Sequence, residues 1–331
     1  MSVLRIGTRG SALAMAQTGD VAKALAKASG LEVELVPITT HGDTSRESLS
    51  ELGGTGVFAG ALRSALLAGD CDLVVHSLKD LPTAKHPGLV IGAVPKRADA
   101  RDTLVARDSL TLGTLPSGSR VGTGSPRRMA QLRRARADLE VVDIRGNVDT
   151  RLGRVAAFPS VAAEAEAAAE DRLDGVILAA AGLERLGRSE VVTEFLELSR
   201  WPTAPGQGAL ALEVRDGADH GRDPLARALA TVDHRSTHAC VLAERAVLAG
   251  LEAGCAAPVA ATAQIDDGLL FLTATVYSTD GSDALTASHA ATPDGMAAAQ
   301  LAEAATDVAE RVVAELLQRG AAELAPVGGA G

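Results

Sequence analysis

Short apolar runs alternate with helical segments through the first two-thirds of the chain, and this alternation constrains the fold more than any other feature. Apolar runs occur at VLRIGT (3–8), DLVVHSL (72–78) and DGVILAAAG (174–182). Ala- and Leu-rich segments with helical spacing lie between them, the first from about Ser11 to Ala28. Buried strands separated by helices are typical of a parallel sheet covered on both faces. The sequence therefore predicts an α/β fold.

The alternation forms two series, which predicts two similar α/β lobes followed by a small α+β C-terminal domain. Residues 96–102 are the predicted hinge between the lobes, and residues 201–214 the return crossing. The last part of the chain predicts a helix at about 236–252, an alternating segment GLLFLTATVYSTDGS (268–282) that turns at Asp280-Gly281, and a helix at about 295–318. The predicted domains are residues 1–97 with 205–224, residues 98–204, and residues 225–325.

Composition narrows the classes of function. The chain has 331 residues, of which 47% are hydrophobic but only 2% aromatic, and its formal net charge is −10. Scarce aromatic residues and acidic charge disfavour a protein that stacks nucleic-acid bases or binds polyanions over its whole surface. Three widely spaced cysteines indicate a reducing compartment rather than a disulfide framework. We find no signal-peptide pattern and no long uncharged apolar run, so we expect a soluble cytoplasmic protein without membrane partners.

Arginine is concentrated in one part of this otherwise acidic chain. Residues 120–154 contain nine arginines and four acidic residues. In GTGSPRR (122–128), Ser125 is a predicted N-cap and Pro126 the first helical residue, so Arg127 and Arg128 lie beside free backbone N–H groups. We interpret Arg133, Arg134 and Arg136, further along the same helix, as a solvated helix face.

Two other segments repeat this design. Arg145 and Arg151 occur in IRGNVDTRLGR (144–154), and Arg9 follows the first strand in TRGS (8–11). Ligands of open α/β sheets bind at the carboxyl ends of strands, where these segments are predicted to lie. Because no phosphate-binding glycine motif with lysine is present and arginine pairs bidentately with carboxylates, the sequence predicts a cleft for a ligand with several carboxylates.

The segment DLVVHSLKDLP (72–82) brings opposite charges to the end of an apolar strand. Ser77, Lys79 and Asp80 follow the buried part of the strand directly, and Pro82 ends the run. A carboxylate among so many predicted cations indicates a chemical role.

The cysteines differ in their surroundings. Cys71 precedes an apolar strand and Cys240 lies at helical spacing, so both are predicted to be core residues. Cys255 follows a helix end marked by Gly254, and a thiol in a loop is the better candidate for chemistry. The cysteine spacing and the histidine pattern do not indicate a metal site. An Ala/Glu-rich insertion near 158–170 predicts a solvated helix without chemistry.

Seven segments together resemble the porphobilinogen deaminase (hydroxymethylbilane synthase) family. They run in order over some 250 residues: RIGTRGSALAMAQ (5–17), VHSLKDLPT (75–83), VGTGSPRR (121–128), IRGNVDTRL (144–152), ILAAAGLERLG (177–187), APGQGALALE (204–213) and AERAVLAGLEAGCAAPV (243–259). The resemblance implies two lobes like those of type II periplasmic binding proteins, with the active site between them. It also implies a transferase of haem and other tetrapyrrole biosynthesis. Such an enzyme condenses four porphobilinogens head to tail, releases four ammonias, and frees the linear product by hydrolysis.

The resemblance also implies roles for particular residues. Cys255 would carry a dipyrromethane cofactor through a thioether bond, and Asp80 would be the catalytic carboxylate, stabilising the cation left when ammonia departs. The residues implied to bind the cofactor, besides Cys255 and Asp80, are Ser77, Lys79, Ser125, Arg127 and Arg128. Those implied to bind substrate are Arg9, Ser11, Phe58, Arg145, Arg151 and Arg185. The protein is expected to act as a monomer.

This chain departs from the family pattern at several positions. Many relatives have two lysines where this chain has Thr55 and Gly60, so no charge role is assigned there. Phe58 could equally be a core residue, and Gly124 stands where relatives often have serine.

The main alternative is a non-catalytic two-lobe binding protein for a multi-carboxylate metabolite, which predicts an unmodified Cys255. An RNA-binding role for residues 120–154 is disfavoured by the acidic total and the scarcity of aromatics.

Overall fold

The computed structural model describes residues 3–39, 56–155, 172–253 and 257–325. The predicted Ala/Glu helix and the C-terminal tail after residue 325 therefore lie outside the described residues. Within the described ranges, the chain forms two five-stranded sheets and one three-stranded sheet.

The first sheet has the strand order β2-β1-β3-β10-β4. Strand β1 is parallel to both β2 and β3, whereas β10 is antiparallel to both β3 and β4. These strands are β1 (Val3–Arg9), β2 (Glu32–Ile38), β3 (Leu73–Ser77), β4 (Leu89–Ala93) and β10 (Leu210–Arg215). The helices of this half are α1 (Ala12–Ser29) and α2 (Gly56–Ala68).

The second sheet repeats this topology, with the order β7-β6-β8-β5-β9. Here β5 is the antiparallel strand, paired with both β8 and β9. The strands are β5 (Asp102–Ala106), β6 (Arg120–Thr123), β7 (Glu140–Asp143), β8 (Gly175–Ala179) and β9 (Glu194–Leu196). Its helices are α3 (Pro126–Ala135), α4 (Val148–Leu152) and α5 (Ala180–Arg185). Each sheet thus receives its antiparallel strand from the chain just after it crosses over, and the predicted pair of type II periplasmic-binding-protein-like lobes is confirmed.

The C-terminal part is an antiparallel sheet, β11 (Val259–Asp266), β12 (Leu269–Tyr277) and β13 (Ala284–Ala291), packed on two helices. These helices are α7 (Arg235–Gly250) and α8 (Ala298–Gln318), which follow α6 (Pro224–Val232) and precede the short α9 (Ala321–Leu324). Val247, Leu272 and Val308 are among the residues buried between them. Each such side chain contributes about 1.5–3 kcal/mol by leaving water. The predicted small α+β domain is confirmed.

One buried carboxylate joins the three parts. Glu244, on α7, is fully buried and accepts hydrogen bonds from Arg97 Nη1 at 2.6 Å and from the backbone N–H groups of Gly206 (2.7 Å) and Ala263 (2.8 Å). Arg97 belongs to the predicted hinge and Gly206 to the predicted return crossing, so both connections between the lobes are fixed to the C-terminal part at one point.

Within the described residues, no helix has both the length and the apolar character required to cross a membrane.

Candidate functional site

The carboxyl end of β3 presents Ser77, Lys79 and Asp80. A short 3₁₀ turn, Leu78–Asp80, follows the strand, and Leu78 is fully buried in the core. Ser77 Oγ donates a hydrogen bond to Gln17 Oε1 at 3.1 Å. From the C-terminal domain, Arg245 donates to the carbonyl oxygens of Leu78 (3.2 Å) and Leu81 (2.6 Å). Leu78 and the hydrogen bonds from Arg245 therefore anchor the turn on its apolar side. The charged side chains of Lys79 and Asp80 point away from that side.

A cavity of about 80 Å³ lies at this strand end and includes Arg9, Ser11, Ser77 and Asp80 in its lining. Arg9 is the last residue of β1, and Ser11 is the N-cap of α1, where its side chain accepts from the Ala14 N–H at 3.3 Å. Parallel strands bring their carboxyl ends to one edge of the sheet, which explains why residues distant in sequence meet here. The structure thus brings together four of the residues named from the sequence.

His76 also lines the cavity and is part of a structural cluster. Its Nε2 is 3.1 Å from Glu213 Oε2, and Arg63 also donates to Glu213, with Nη2 at 2.8 Å. Burial raises the pKa of Glu213, but the hydrogen bonds from His76 and Arg63 outweigh this effect and lower the pKa to about 2. The cluster ties β3, β10 and α2 together beneath the site.

Lys79 is held in an environment that disfavours its charge. Burial, together with the charges of Arg128 and Arg127, lowers the pKa of Lys79 to about 8, although Asp80 and Asp102 act in the opposite direction. Lys79 Nζ donates to Gln207 Oε1 at 3.4 Å. A bound anion would relieve this unfavourable arrangement.

Arg127 and Arg128 begin α3 as predicted, with Ser125 as N-cap and Pro126 at the first helical position. Both guanidinium groups are buried against one carboxylate: Arg127 Nη1 is 2.9 Å from Asp102 Oδ2, and Arg128 Nη2 is 2.6 Å from Asp102 Oδ1. Burial raises the pKa of Asp102, but the two arginines outweigh it and hold the pKa below its usual range. Two cations share one anion, so this cluster keeps a net positive charge.

Asp102 is a site residue that the sequence reasoning missed. It lies in KRADARD, which was interpreted only as a hinge, and it also accepts hydrogen bonds from Trp201 Nε1 (2.9 Å) and Gln207 Nε2 (2.8 Å). Sequence offered one signal that could have found it, an acidic residue at the start of a fully apolar strand, where a buried charge requires partners.

The second arginine segment lies near the first. Burial, together with the charges of Arg128 and Arg145, lowers the pKa of Arg151 to about 10. Asp143 and Asp80 act in the opposite direction, so Arg151 is electrostatically coupled to the carboxylate at the end of β3. Arg145 is exposed and pairs with Asp143 at 3.0 Å.

The remaining predicted arginine contacts the return crossing. Arg185 Nη2 donates to the Gly208 carbonyl at 2.7 Å, and burial lowers its pKa. Cys255 lies outside the described residues, and so does the side chain of Phe58, whose backbone belongs to α2.

Two other groups of sequence predictions have clear outcomes. Cys71 and Cys240 are buried core residues as predicted, and burial raises the pKa of Cys240 to about 12. Arg133 and Arg134 are exposed, as predicted for a solvated helix face, and Arg136 is half-buried. Arg133 and Arg134 donate to the carbonyls of Thr279 (2.8 Å) and Ser282 (3.2 Å) in the C-terminal domain, and Arg136 pairs with Asp138 at 2.7 Å.

The matching family models and similar relatives with known names agree on one family. Residues 4–223 match the model of "Porphobilinogen deaminase, dipyromethane cofactor binding domain", and residues 238–318 match "Porphobilinogen deaminase, C-terminal domain". A porphobilinogen deaminase of Leifsonia xyli subsp. xyli is 70% identical over 98% of this chain and 95% of its own. A porphobilinogen deaminase of Micrococcus luteus is 56% identical over 86% of this chain and 81% of its own. Porphobilinogen deaminase 1 of Streptomyces coelicolor is 50% identical over 97% of both chains.

Proposed function

This chain belongs to the porphobilinogen deaminase family, and on that premise we propose that Asp80 is its catalytic carboxylate and that the cations around Asp80 bind the carboxylates of cofactor and substrate. The chain is a transferase, a hydroxymethylbilane synthase, and its cofactor is dipyrromethane. The alternative of a non-catalytic binding protein is not favoured by this membership.

The observation that carries the proposal is that several buried cations lie near the Asp80 carboxylate. Lys79 and Arg151 have lowered pKa values because they are buried beside other cations, and Asp80 acts on both of them. Arg127 and Arg128 share the one carboxylate of Asp102. Such a surplus disfavours the empty site and favours a ligand that carries several carboxylates.

Its place in the cavity wall supports the proposed action of Asp80 on the substrate. Asp80 lines the cavity with Arg9, Ser11 and Ser77, partly shielded from water. A fixed carboxylate there stabilises the positive charge that develops on porphobilinogen as ammonia departs, and it can accept or return a proton in the same position.

We propose that the cofactor is held by Cys255 and by Ser77, Lys79, Asp80, Ser125, Arg127 and Arg128. Arg127 supports this fit, because its Nε is buried and has no hydrogen-bond partner among the described residues. When bound, the dipyrromethane supplies the pyrrole to which the first substrate unit is joined. The role of Lys79 and the two arginines is to neutralise and orient its carboxylates.

We propose that the substrate and the growing chain are bound by Arg9, Ser11, Phe58, Arg145, Arg151 and Arg185. Arg9 and Ser11 share the cavity with Asp80, which supports a role for both in placing the incoming substrate. Arg145 is exposed, and a surface pair such as Arg145–Asp143 contributes little, so this arginine can exchange partners as the chain lengthens.

Further proposals concern the molecule as a whole. We propose domains of residues 1–97 with 205–224, residues 98–204, and residues 225–325. We also propose that the protein acts as a cytoplasmic monomer without nucleic-acid or membrane partners, which its net charge of −10 and its few cysteines support.

The test of Asp80 is the substitution Asp80→Asn, which removes the charge and keeps the shape. We expect turnover to fall by about 10²- to 10⁴-fold, the usual contribution of a positioned acid–base group, while the thermal midpoint and the mass of bound cofactor stay unchanged. Asp267→Asn, in an exposed turn where Asn tolerates the positive φ of 47°, is the matched control and should be fully active. Near-normal turnover of Asp80→Asn would contradict the proposed role.

A further inference from the structure

The return crossing places one glutamine side chain between the two lobes. Gln207 is 1% exposed and lies between Gly206 and Gly208, which have φ values of 74° and 83°. A Cβ on Gly208 would lie 2.8 Å from the Ala98 carbonyl oxygen, so the backbone here admits only glycine. The two glycines thus allow the chain to pass close to the hinge and to turn the glutamine inward.

The backbone of this segment is held by three charged side chains. Arg97 Nε donates to the Gln207 carbonyl at 2.7 Å, and Arg185 Nη2 donates to the Gly208 carbonyl at 2.7 Å. Glu244 accepts from the Gly206 N–H at 2.7 Å. The position of Gln207 is therefore set by groups from both lobes and from the C-terminal domain.

The amide of Gln207 makes four hydrogen bonds, each with a different residue. Its Oε1 accepts from Lys79 Nζ at 3.4 Å and from Arg128 Nη2 at 3.2 Å. Its Nε2 donates to the Ala100 carbonyl at 2.7 Å and to Asp102 Oδ1 at 2.8 Å. The oxygen thus faces two cations and the nitrogen faces two acceptors, so all four partners match the polarity of the amide.

We propose that Gln207 is a positioning residue that holds the Lys79 ammonium and the Arg128 guanidinium in one arrangement across the lobe boundary, so that both meet the cofactor carboxylates together. This inference rests on the proposed role of Lys79 and Arg128 in binding the cofactor. Gln207 acts through these residues, and no contact of its own with the cofactor or substrate is required.

Only glutamine satisfies this position. Methionine has a similar shape but offers neither donor nor acceptor, so Lys79 and Asp102 would each lose a partner. Glutamate keeps an acceptor for Lys79 and Arg128, but it loses the donor to Asp102 and places a second negative charge beside it.

These two substitutions have different electrostatic consequences for Lys79. The charged groups that act on Lys79 are Asp80, Asp102, Arg127 and Arg128, and burial is the largest influence on its pKa. A carboxylate at position 207 favours the ammonium form of Lys79, whereas methionine adds no charge. Titration of Lys79 therefore reports on contact with residue 207, independently of stability.

The experiment compares the holoenzymes of the wild type, Gln207→Met and Gln207→Glu. Lys79 is labelled with acetic anhydride over a range of neutral to alkaline pH, its labelled fraction is measured by peptide mass spectrometry, and kcat and KM are measured on the same preparations. Gln264→Met, on the exposed side of β11, is the control for the substitution itself.

We expect Gln207→Met to lower kcat by about 10-fold while KM stays within about twofold. The substitution disturbs residues proposed to bind the cofactor and leaves those proposed to bind the substrate unchanged. We expect Gln207→Glu to raise the pH midpoint of Lys79 labelling by about one unit or more, as an added opposite charge within hydrogen-bond reach does. Gln264→Met should match the wild type.

Equal labelling midpoints in all three proteins, or wild-type kcat in Gln207→Met, would overturn the proposal, even if the variants were less stable. The labelling readout does not depend on turnover. A wild-type protein that lacks the mass of dipyrromethane would therefore count against the proposed cofactor site, while the midpoint would still decide the role of Gln207.

Discussion

Among the described residues of the site, positively charged side chains outnumber negatively charged ones. Arg127 and Arg128 are both buried and both bind Asp102, and Lys79 lies close enough for all three to influence its pKa. Burying unbalanced charge costs free energy that well-packed apolar residues would not. The most direct reason to keep such an arrangement is a ligand that supplies the missing negative charge.

The double substitution Arg127→Leu with Arg128→Leu tests this use of charge. We expect the soluble protein to lack the cofactor mass, and to be destabilised by about 3–5 kcal/mol because Asp102 is left buried without a cationic partner. Intact mass and urea denaturation measure the two effects. The control is Arg133→Leu with Arg134→Leu on the exposed side of the same helix. Normal cofactor loading in the first variant would show that these arginines do not hold the cofactor.

At this scale the sequence predicted which residues meet but not how they are paired. Arg9, Ser77 and Asp80 could be expected to converge because each follows a strand of one sheet. Asp102 could not, because its partners lie 25 and 26 residues away on another element of the same lobe. Gln207, separated from Lys79 by 128 residues, was hidden for the same reason.

Among the elements, the start of α3 most directly shapes the site. Ser125 accepts from the Arg128 N–H at 3.5 Å, and the preceding turn packs so closely on the next strand end that a Cβ on Gly124 would lie 2.5 Å from the Ile144 carbonyl oxygen. Serine, which relatives often have there, therefore does not fit this backbone without a shift. Gly124 sets the distance between the two arginine segments.

Gly124→Ala should displace the loop before α3, because its new methyl group meets a backbone oxygen that cannot turn away. We expect a loss of about 1–3 kcal/mol in the free energy of unfolding together with incomplete cofactor loading. Gly113→Ala is the matched control, since nothing lies within 4 Å of the added methyl group there. Full loading and an unchanged thermal midpoint for Gly124→Ala would contradict this account of the loop.

The helices were predictable from sequence where caps and periodicity coincide. The helix predicted from about Ser11 to Ala28 is observed at Ala12–Ser29, with Ser11 as its cap. What periodicity does not reveal is the partner of an exposed polar face. Arg133 and Arg134 dock on the turn at 278–282 of the C-terminal domain, a contact that depends on how separate parts of the chain pack.

Across the whole molecule, two lobes of one topology meet a third part that fixes both crossings. The hinge residue Arg97 and the crossing residue Gly206 bind the same buried Glu244 on α7. Cys255, the proposed attachment point of the cofactor, follows the last residue of that helix by five positions in the sequence and lies outside the described residues. The order of the lobes was predictable from the repeated strand and helix pattern, whereas this junction required the tertiary structure.

The central claim is that this architecture presents a cofactor covalently bound at Cys255 to Asp80 and the surrounding cations. Its most direct test is the intact mass of the purified protein, measured beside a Cys255→Ser variant. The account predicts a mass excess of one dipyrromethane in the wild type and none in the variant. A wild-type mass without that excess, even after incubation with porphobilinogen, would contradict it.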